Sequence, residues 1–348
     1  MSVISDDVGS FPLPGNVKRD EIQETALRVA TKEVNEEEKE IFNRIVEEIM
    51  QKKLDSGLMT PNYPQIHDMI ASFFSLMENF CEEEEPWIVK KEAAVIPEIG
   101  ALDFVARRYF ESTGGFLPLR VCVTGPLELY LKNVGVNIQG DLLLNLAESI
   151  SRFIENAILD KEHIKTKVVC IDEPSLGLNP NLIAEDEDLI HAWESCVKKA
   201  KHLDVQIHLH STNDLDKIYP VKGIGILGIE SAEDPGVLKS IDRDELESFD
   251  KFLRVGISRT NIFGLVAEFN ERFGVDLWET KKFSELGKME NQRVIGKRLQ
   301  KAYELFNDRI KYAGPDCGLG AWPNQETAFQ LLKNTSEAIN EFNKLGTE

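Results

Sequence analysis

Three side chains able to bind a metal stand at the ends of three separate apolar runs in this chain of 348 residues: His210 in VQIHLHST, Glu230 in ILGIES and Cys317 in YAGPDCGLG. Each run reads as a short buried strand, and each polar residue falls where its strand stops. An imidazole, a carboxylate and a thiolate converging at the rim of a parallel sheet would make a zinc site with a position left for substrate. Such a site activates a thiol or a water at neutral pH. A carboxylate placed after Ile226-Leu227-Gly228-Ile229 is costly to bury unless it meets a cation, a proton or several donors. Cys317 differs from the other four cysteines because Pro315, Asp316 and Gly318 surround it with a turn that presents a side chain.

Further polar residues end other apolar runs. His208 and His210 lie on one run and are expected to face opposite sides of the sheet, so His210, nearer the strand end, is the expected ligand. Asp172-Glu173-Pro174 follows VVCI, and Pro174 forces an exit that leaves two carboxylates at the rim. They suit a substrate amine or hydroxyl, or a cap on the next helix. Gly9-Ser10-Phe11-Pro12 and Thr124-Gly125-Pro126 are small-residue turns that could hold a ligand carboxylate on backbone N–H groups, or serve only as turns. Ser258-Arg259 and Asp316 complete the polar strand ends. Cys122 and Cys170, inside strand-like runs, read as buried small apolar residues. No Gly-rich phosphate loop, HExxH run or GxSxG elbow occurs.

Composition narrows the class. A net charge of −20 argues against nucleic acid and anionic membranes as partners. Glu36 to Glu38 and Glu82 to Glu85 read as solvated surface. No apolar stretch approaches the roughly 18 residues of a membrane span, and MSVISDDVGSFP is not a signal peptide. Five cysteines without a CxxC pair make no disulfide framework, which points to a reduced, cytoplasmic setting.

The elements that must position these residues alternate. Strand candidates are VISDDVG, LRVCVTG, KVVCIDE, VQIHLHS, GILGIES, FLRVGIS and IKYAGPD. Apolar spacing of 3.6 residues predicts helices over 20–54, 64–80, 141–163, 186–203, 242–250, 263–274, 290–310 and 324–343. Strands separated by helices imply right-handed βαβ units and a parallel sheet. Seven or eight units with no linker between them predict one (β/α)8 TIM barrel spanning residues 1–348, with an N-terminal helical extension. Chemistry in that fold collects at the C-terminal strand ends, where the polar residues lie.

Six segments in order, DDVGSFPLP, VTGPLELYL, CIDEPSLGL, IHLHST, LGIES and PDCGLG, resemble the signature segments of the C-terminal catalytic barrel of cobalamin-independent methionine synthase. The resemblance runs from about residue 7 to residue 335. It implies a barrel that binds zinc at its mouth and a methyltransferase that moves a methyl group to a thiol such as homocysteine in methionine biosynthesis. Carried over by position, it implies His210, Glu230 and Cys317 as zinc ligands, with Glu230 also taking part in the catalytic step. Asp172 matches the carboxylate on the substrate amine, and Gly9 and Ser10 match the loop around the amino acid's carboxylate.

Two positions depart from that pattern. The family reads His-x-Cys where this chain has His210 and Thr212, and it has a glutamate near PNYPQIHDM where this chain has Tyr63 and Gln65. Tyr63 is therefore taken as the substrate-binding residue there. The family's full-length enzymes carry a second, N-terminal barrel, whereas the resemblance here is to the short single-barrel form, for which a methylated corrinoid protein is an expected donor beside folate. The other readings are a coenzyme-M-type thiol alkyl transferase or a corrinoid methyltransferase on the same barrel, and a non-catalytic small-molecule-binding barrel.

Overall fold

The computed structural model describes residues 2–83 and 85–345. Among the described residues there are nine strands: β1 (Ile4–Ser5), β2 (Cys81–Glu82), β3 (Glu85–Val89), β4 (Leu117–Thr124), β5 (Ile164–Asp172), β6 (Asp204–Leu209), β7 (Ile226–Ile229), β8 (Phe252–Ser258) and β9 (Ile310–Pro315). Seven form one parallel sheet in the order β1-β9-β8-β7-β6-β5-β4, and β2 and β3 form a separate antiparallel hairpin. All seven strand candidates are present in that sheet.

The sheet curls until its two edges meet across residues 60–63. Thr60 N donates to Ser5 O at 2.9 Å on one side, and Arg120 N donates to Pro61 O at 2.9 Å on the other. Parallel bridges Asp6↔Thr60 and Asn62↔Arg120 occupy the eighth barrel position. Pro61 and Pro64 lack the N–H groups a ladder needs, so this position remains a pair of bridges. The expected (β/α)8 barrel is the observed architecture.

The predicted helix over 20–54 is two helices, Arg19–Thr31 and Glu36–Asp55. Lys32 turns left-handed after the first, and Asn35 starts the second with a reciprocal capping box to Glu38. Together they form the crossover between β1 and the closing segment. The acidic run at 36–38 heads the second helix, where its charge faces the positive end of the helix dipole. Glu84 of the other acidic run lies outside the described residues.

The barrel interior is polar at its centre. Asp6, Arg120, Gln206 and Arg254 come from alternate barrel positions and form one four-residue layer, all at 0% exposure. Arg254 Nε lies 2.9 Å from Asp6 Oδ1 and Arg120 Nε 3.6 Å from Asp6 Oδ2, while Gln206 bridges Arg120 and Asp6 at 3.2 Å each. Gly314 on β9 makes room for this layer. A Cβ there would stand 2.2 Å from Asp6 O and 2.6 Å from Arg254 Nη2. Next to it, Lys53 Nζ reaches Asp7 Oδ2 at 2.7 Å and the carbonyls of Gly9 and Asn62.

Removing one partner of a buried ion pair leaves the other charge uncompensated, which costs about 3–5 kcal/mol. Asp6→Ala, which leaves two interior guanidiniums without their carboxylate, is expected to lower unfolding free energy by about that amount in denaturant titration. An unchanged midpoint would show that the layer does not depend on Asp6.

Candidate metal centre

Above the Asp6 layer the strand ends bring His208, His210, Glu230 and Cys317 together, with one ligand atom from each lying within 4.8 Å of all the others. His210 Nε2 is 3.1 Å from Glu230 Oε1 and 3.7 Å from Cys317 Sγ. His208 Nε2 is 3.7 Å from the same Glu230 oxygen. The three residues expected to converge do so, and His208 joins them.

The expectation that the two histidines face opposite sides is overturned. Side chains two apart along a strand share a face, and only neighbours alternate. Gln206 points inward to Asp6, so His208 does as well, and His210, one residue beyond β6, continues the same column. The ring centroids of the two histidines lie 5.2 Å apart, nearly perpendicular.

Glu230 and Cys317 lie on loops with anchors of their own. The buried Asp316 carboxylate accepts the backbone N–H groups of Ser231, Ala232 and Glu233 at 2.9, 2.9 and 3.0 Å, fixing the turn that carries Glu230. Gly256 makes this anchor fit, because a Cβ there would stand 1.9 Å from Asp316 Oδ1. Cys317 N donates to Thr260 Oγ1 at 3.1 Å. The loop beyond Cys317 lies against Ser10, whose carbonyl accepts Leu319 N and whose hydroxyl accepts Gly320 N. Thr212 turns away, with its hydroxyl 2.7 Å from Ser240 Oγ.

Asp172 lies beside this cluster, aligned with His208 across β5 and β6. Its Oδ1 accepts the Cys122 thiol at 2.9 Å and lies 3.8 Å from Cys170 Sγ. Cys122 and Cys170 are buried as expected, but their thiols serve this carboxylate, and these three residues form a second close group.

Glu173 is not at the rim. It is fully buried and accepts Leu127 N, Glu128 N and Trp193 Nε1, which caps the helix Pro126–Asn133. That helix precedes Glu173 in the chain, and Gly125 leaves the space for its carboxylate. Arg259 is likewise committed elsewhere, to Glu290 and Glu268.

Gly9 has φ +131°, and a Cβ there would press on Asn62 and Gln65. Tyr63 is fully buried, with its hydroxyl donating to Cys122 O at 2.7 Å, so it belongs to the barrel wall. The half-buried residue of that pair is Gln65, whose amide nitrogen donates to the same carbonyl at 3.2 Å.

The electrostatics of the cluster fit a cation. Burial, then the charge of Asp316, pushes the Glu230 carboxyl up to about 7. Burial, then the charge of Glu230, pushes the Cys317 thiol up. Burial holds His210 below the usual imidazole range and His208 well below it, with His210 and the two interior arginines adding to the effect on His208. Neutral imidazoles are ready to ligate, and a divalent ion would supply the charge that ionised Glu230 and Cys317 lack. Both ring nitrogens of His208 and Glu230 Oε1 are buried with no hydrogen-bond partner. A metal would give one of these ring nitrogens and the Glu230 oxygen a partner.

Two comparisons place the chain among known proteins, and it matches no family model. A curated relative, methionine synthase of Sulfolobus acidocaldarius, is 22% identical over 359 residues, covering 97% of this chain and 93% of that protein. A B12-independent methionine synthase from Shewanella, solved in complex with selenomethionine, superposes with a TM-score of 0.62 at 12% identity, covering 100% of this chain and 99% of the other. A Listeria monocytogenes protein described as a vitamin-B12 independent methionine synthase superposes with a TM-score of 0.57 at 14% identity, covering 98% and 99%. Whole-length likeness in fold thus accompanies the resemblance in the six segments.

Burial also raises Asp172 to about 6 and Glu173 to about 8. With Glu230 these carboxyls hold protons in the folded chain that the unfolded chain has already released between about pH 4 and 8, so stability of the metal-free protein falls as pH rises through that window. Urea midpoints at about pH 5 and about pH 8 check the sign, and Glu230→Gln should flatten the slope near neutrality. A wild-type midpoint that rises between those values would contradict it.

Proposed function

We propose that this chain, which resembles the cobalamin-independent methionine synthases along its length, is a metal-dependent methyltransferase that moves a methyl group to a thiol acceptor such as homocysteine. The observation that carries the reading is the convergence of His210, Glu230 and Cys317 at the mouth of a barrel that superposes on such enzymes. A zinc ion there would hold an acceptor thiol as a thiolate at neutral pH.

The chain's own residues divide the remaining work. His210, just past β6, and Cys317, on the loop after β9 that Thr260 holds, would supply two of the ligands. Glu230, on the turn that Asp316 holds, is the ligand that the resemblance suggests would give way to an incoming sulfur. Asp172 faces the same space from β5 and would take the amine of an amino-acid thiol in a charge-assisted hydrogen bond. Ser10 and Gly9 would receive its carboxylate, since the Ser10 oxygen accepts Gly320 N and its proton remains to be donated. Gln65 borders that loop, with Tyr63 behind it. Holding both ends of the acceptor would aim its sulfur along one line of attack.

Metal analysis of purified protein beside Cys317→Ser tests the site, and turnover of homocysteine with either methylcobalamin or methyltetrahydrofolate tests the reaction. About one zinc per chain is expected in the wild type. Cys317→Ser should weaken retention by more than about 100-fold, the upper end for losing an outer-shell partner. Asp172→Asn should keep the metal and raise KM for the amino thiol about tenfold or more. Normal turnover by metal-free protein or by Cys317→Ser would overturn the proposal.

A further inference from the structure

We infer that His208 is a metal ligand of this chain, taking the coordination place for which Thr212 offers no donor. The inference rests on the metal centre proposed above and adds a residue to it.

His208 is 2% exposed, yet neither ring nitrogen has a hydrogen-bond partner. A buried polar group left unpaired costs about 1–3 kcal/mol, so an imidazole is retained in such a place when something binds it. The donors and charges around it are Asp172 from β5, His210 and Glu230 from the adjacent loops, and Arg120 and Arg254 below. None of them bonds to either ring nitrogen. Glu230 Oε1, 3.1 Å from His210 Nε2 and 3.7 Å from His208 Nε2, is itself buried without a hydrogen bond. Two ligand-type atoms facing each other at that distance, each unpartnered, mark a space suited to an ion that both can bind.

Thr212 supplies the complementary observation. Its hydroxyl is engaged with Ser240, outside the cluster. The strand geometry explains the exchange. His208 lies in the inward column of β6 and His210, one residue past its end, continues that column, whereas Thr212 turns to Ser240. Gly228 on β7 lies alongside, and a Cβ there would stand 3.5 Å from His208 Cα and 3.6 Å from Arg254 Cδ. The neighbouring strand thus carries no side chain between His208 and the interior.

This ligand set has a chemical consequence. Two neutral imidazoles, one carboxylate and one thiolate carry a charge of about −2 and balance a divalent ion, whereas a second thiolate in place of an imidazole would leave an excess negative charge. The bound ion is then a stronger acceptor for a substrate sulfur, and the set favours borderline metals such as Zn²⁺ and Co²⁺ over softer ones.

Titrating the full-length, metal-stripped protein with Co²⁺ tests the assignment, because visible bands report coordination number and a near-ultraviolet sulfur-to-cobalt band reports Cys317. The wild type should give an intense four-coordinate spectrum with the sulfur band. His208→Leu should bind at least about tenfold more weakly and show the weaker bands of higher coordination while keeping the sulfur band. Thr212→Ala should match the wild type. Because metal-free His208 has no partner, His208→Leu is expected to melt at or above the wild-type temperature without metal. Should it fail to fold, zinc X-ray absorption of the wild type decides by counting imidazoles, two supporting the assignment and one overturning it. Unchanged affinity and spectrum in His208→Leu would overturn the role of His208 and leave the metal centre standing. No Co²⁺ uptake by the wild type would overturn both.

Discussion

The shared Asp6 carboxylate between Arg120 and Arg254 is the constraint on which the rest of the barrel interior depends. Two guanidiniums at the centre of a small barrel repel each other and carry more donors than one carboxylate can satisfy. Arg120 meets part of the excess with the carbonyls of Asp7 and Val8 and with Gln206, but Arg120 Nη2 and both terminal nitrogens of Arg254 remain unpartnered. The layer above responds to this. Its side chains, Asp172, Glu230 and Asp316, are carboxylates from the intervening strands, and the arginine charge opposes the rise that burial imposes on each. The cationic layer permits a ring of acids to be buried at the mouth, and one of them, Glu230, belongs to the candidate metal cluster.

A second device, a buried carboxylate that holds a loop by its backbone N–H groups, occurs twice and sets the precision of the rim. Asp316 gathers three donors beyond β7, and Glu173 gathers two at the start of the helix 126–133 with the Trp193 indole as a third partner. In each case a glycine, Gly256 or Gly125, leaves the volume that the carboxylate fills. When such an acid ionises, its bonds to N–H groups become charge-assisted and stronger than neutral ones. The loops carrying Glu230 and flanking Asp172 are therefore pinned from beneath without using their functional side chains. The cost falls on the anchoring acids, both of which burial raises.

Much of this was legible in the residues. All seven apolar runs are strands because fully buried parallel strands read as continuous Val, Ile and Leu. His210, Glu230 and Cys317 could be singled out because each is an ionisable residue directly after such a run. The eighth barrel position was hidden by Pro61 and Pro64, which break the apolar run and leave two bridges in place of a ladder. The strand pair Cys81–Glu82 and Glu85–Val89 was hidden by its acidic, proline-containing sequence. Period two, applied from Gln206 to His210, would have placed His208 in the site. Which member of Asp172-Glu173 faces the ligand space follows from the same alternation, but only once β4 and β5 are known to be neighbours. The pairing of Asp316 with the turn after β7 spans 85 residues and has no local signature.

On the proposed reading, the thiols around Asp172 determine how that carboxylate can exchange partners. An S–H group is a weak donor, and burial pushes the Cys122 thiol well up, so it remains protonated and donates to Asp172 Oδ1 at 2.9 Å. A hydroxyl or amide in that place would bind the carboxylate more firmly and compete with an incoming amine. A carboxylate with no donor would be driven toward its protonated form, since burial already lifts it to about 6. The weak donor avoids both extremes. It keeps an acid ionisable beneath the mouth, and it gives way to an ammonium group, whose charge-assisted bond is roughly twice as strong as a neutral one. An amine would then gain at this position from the displacement of a poor hydrogen bond, whereas an acceptor without a positive charge would displace the same bond and gain nothing in return.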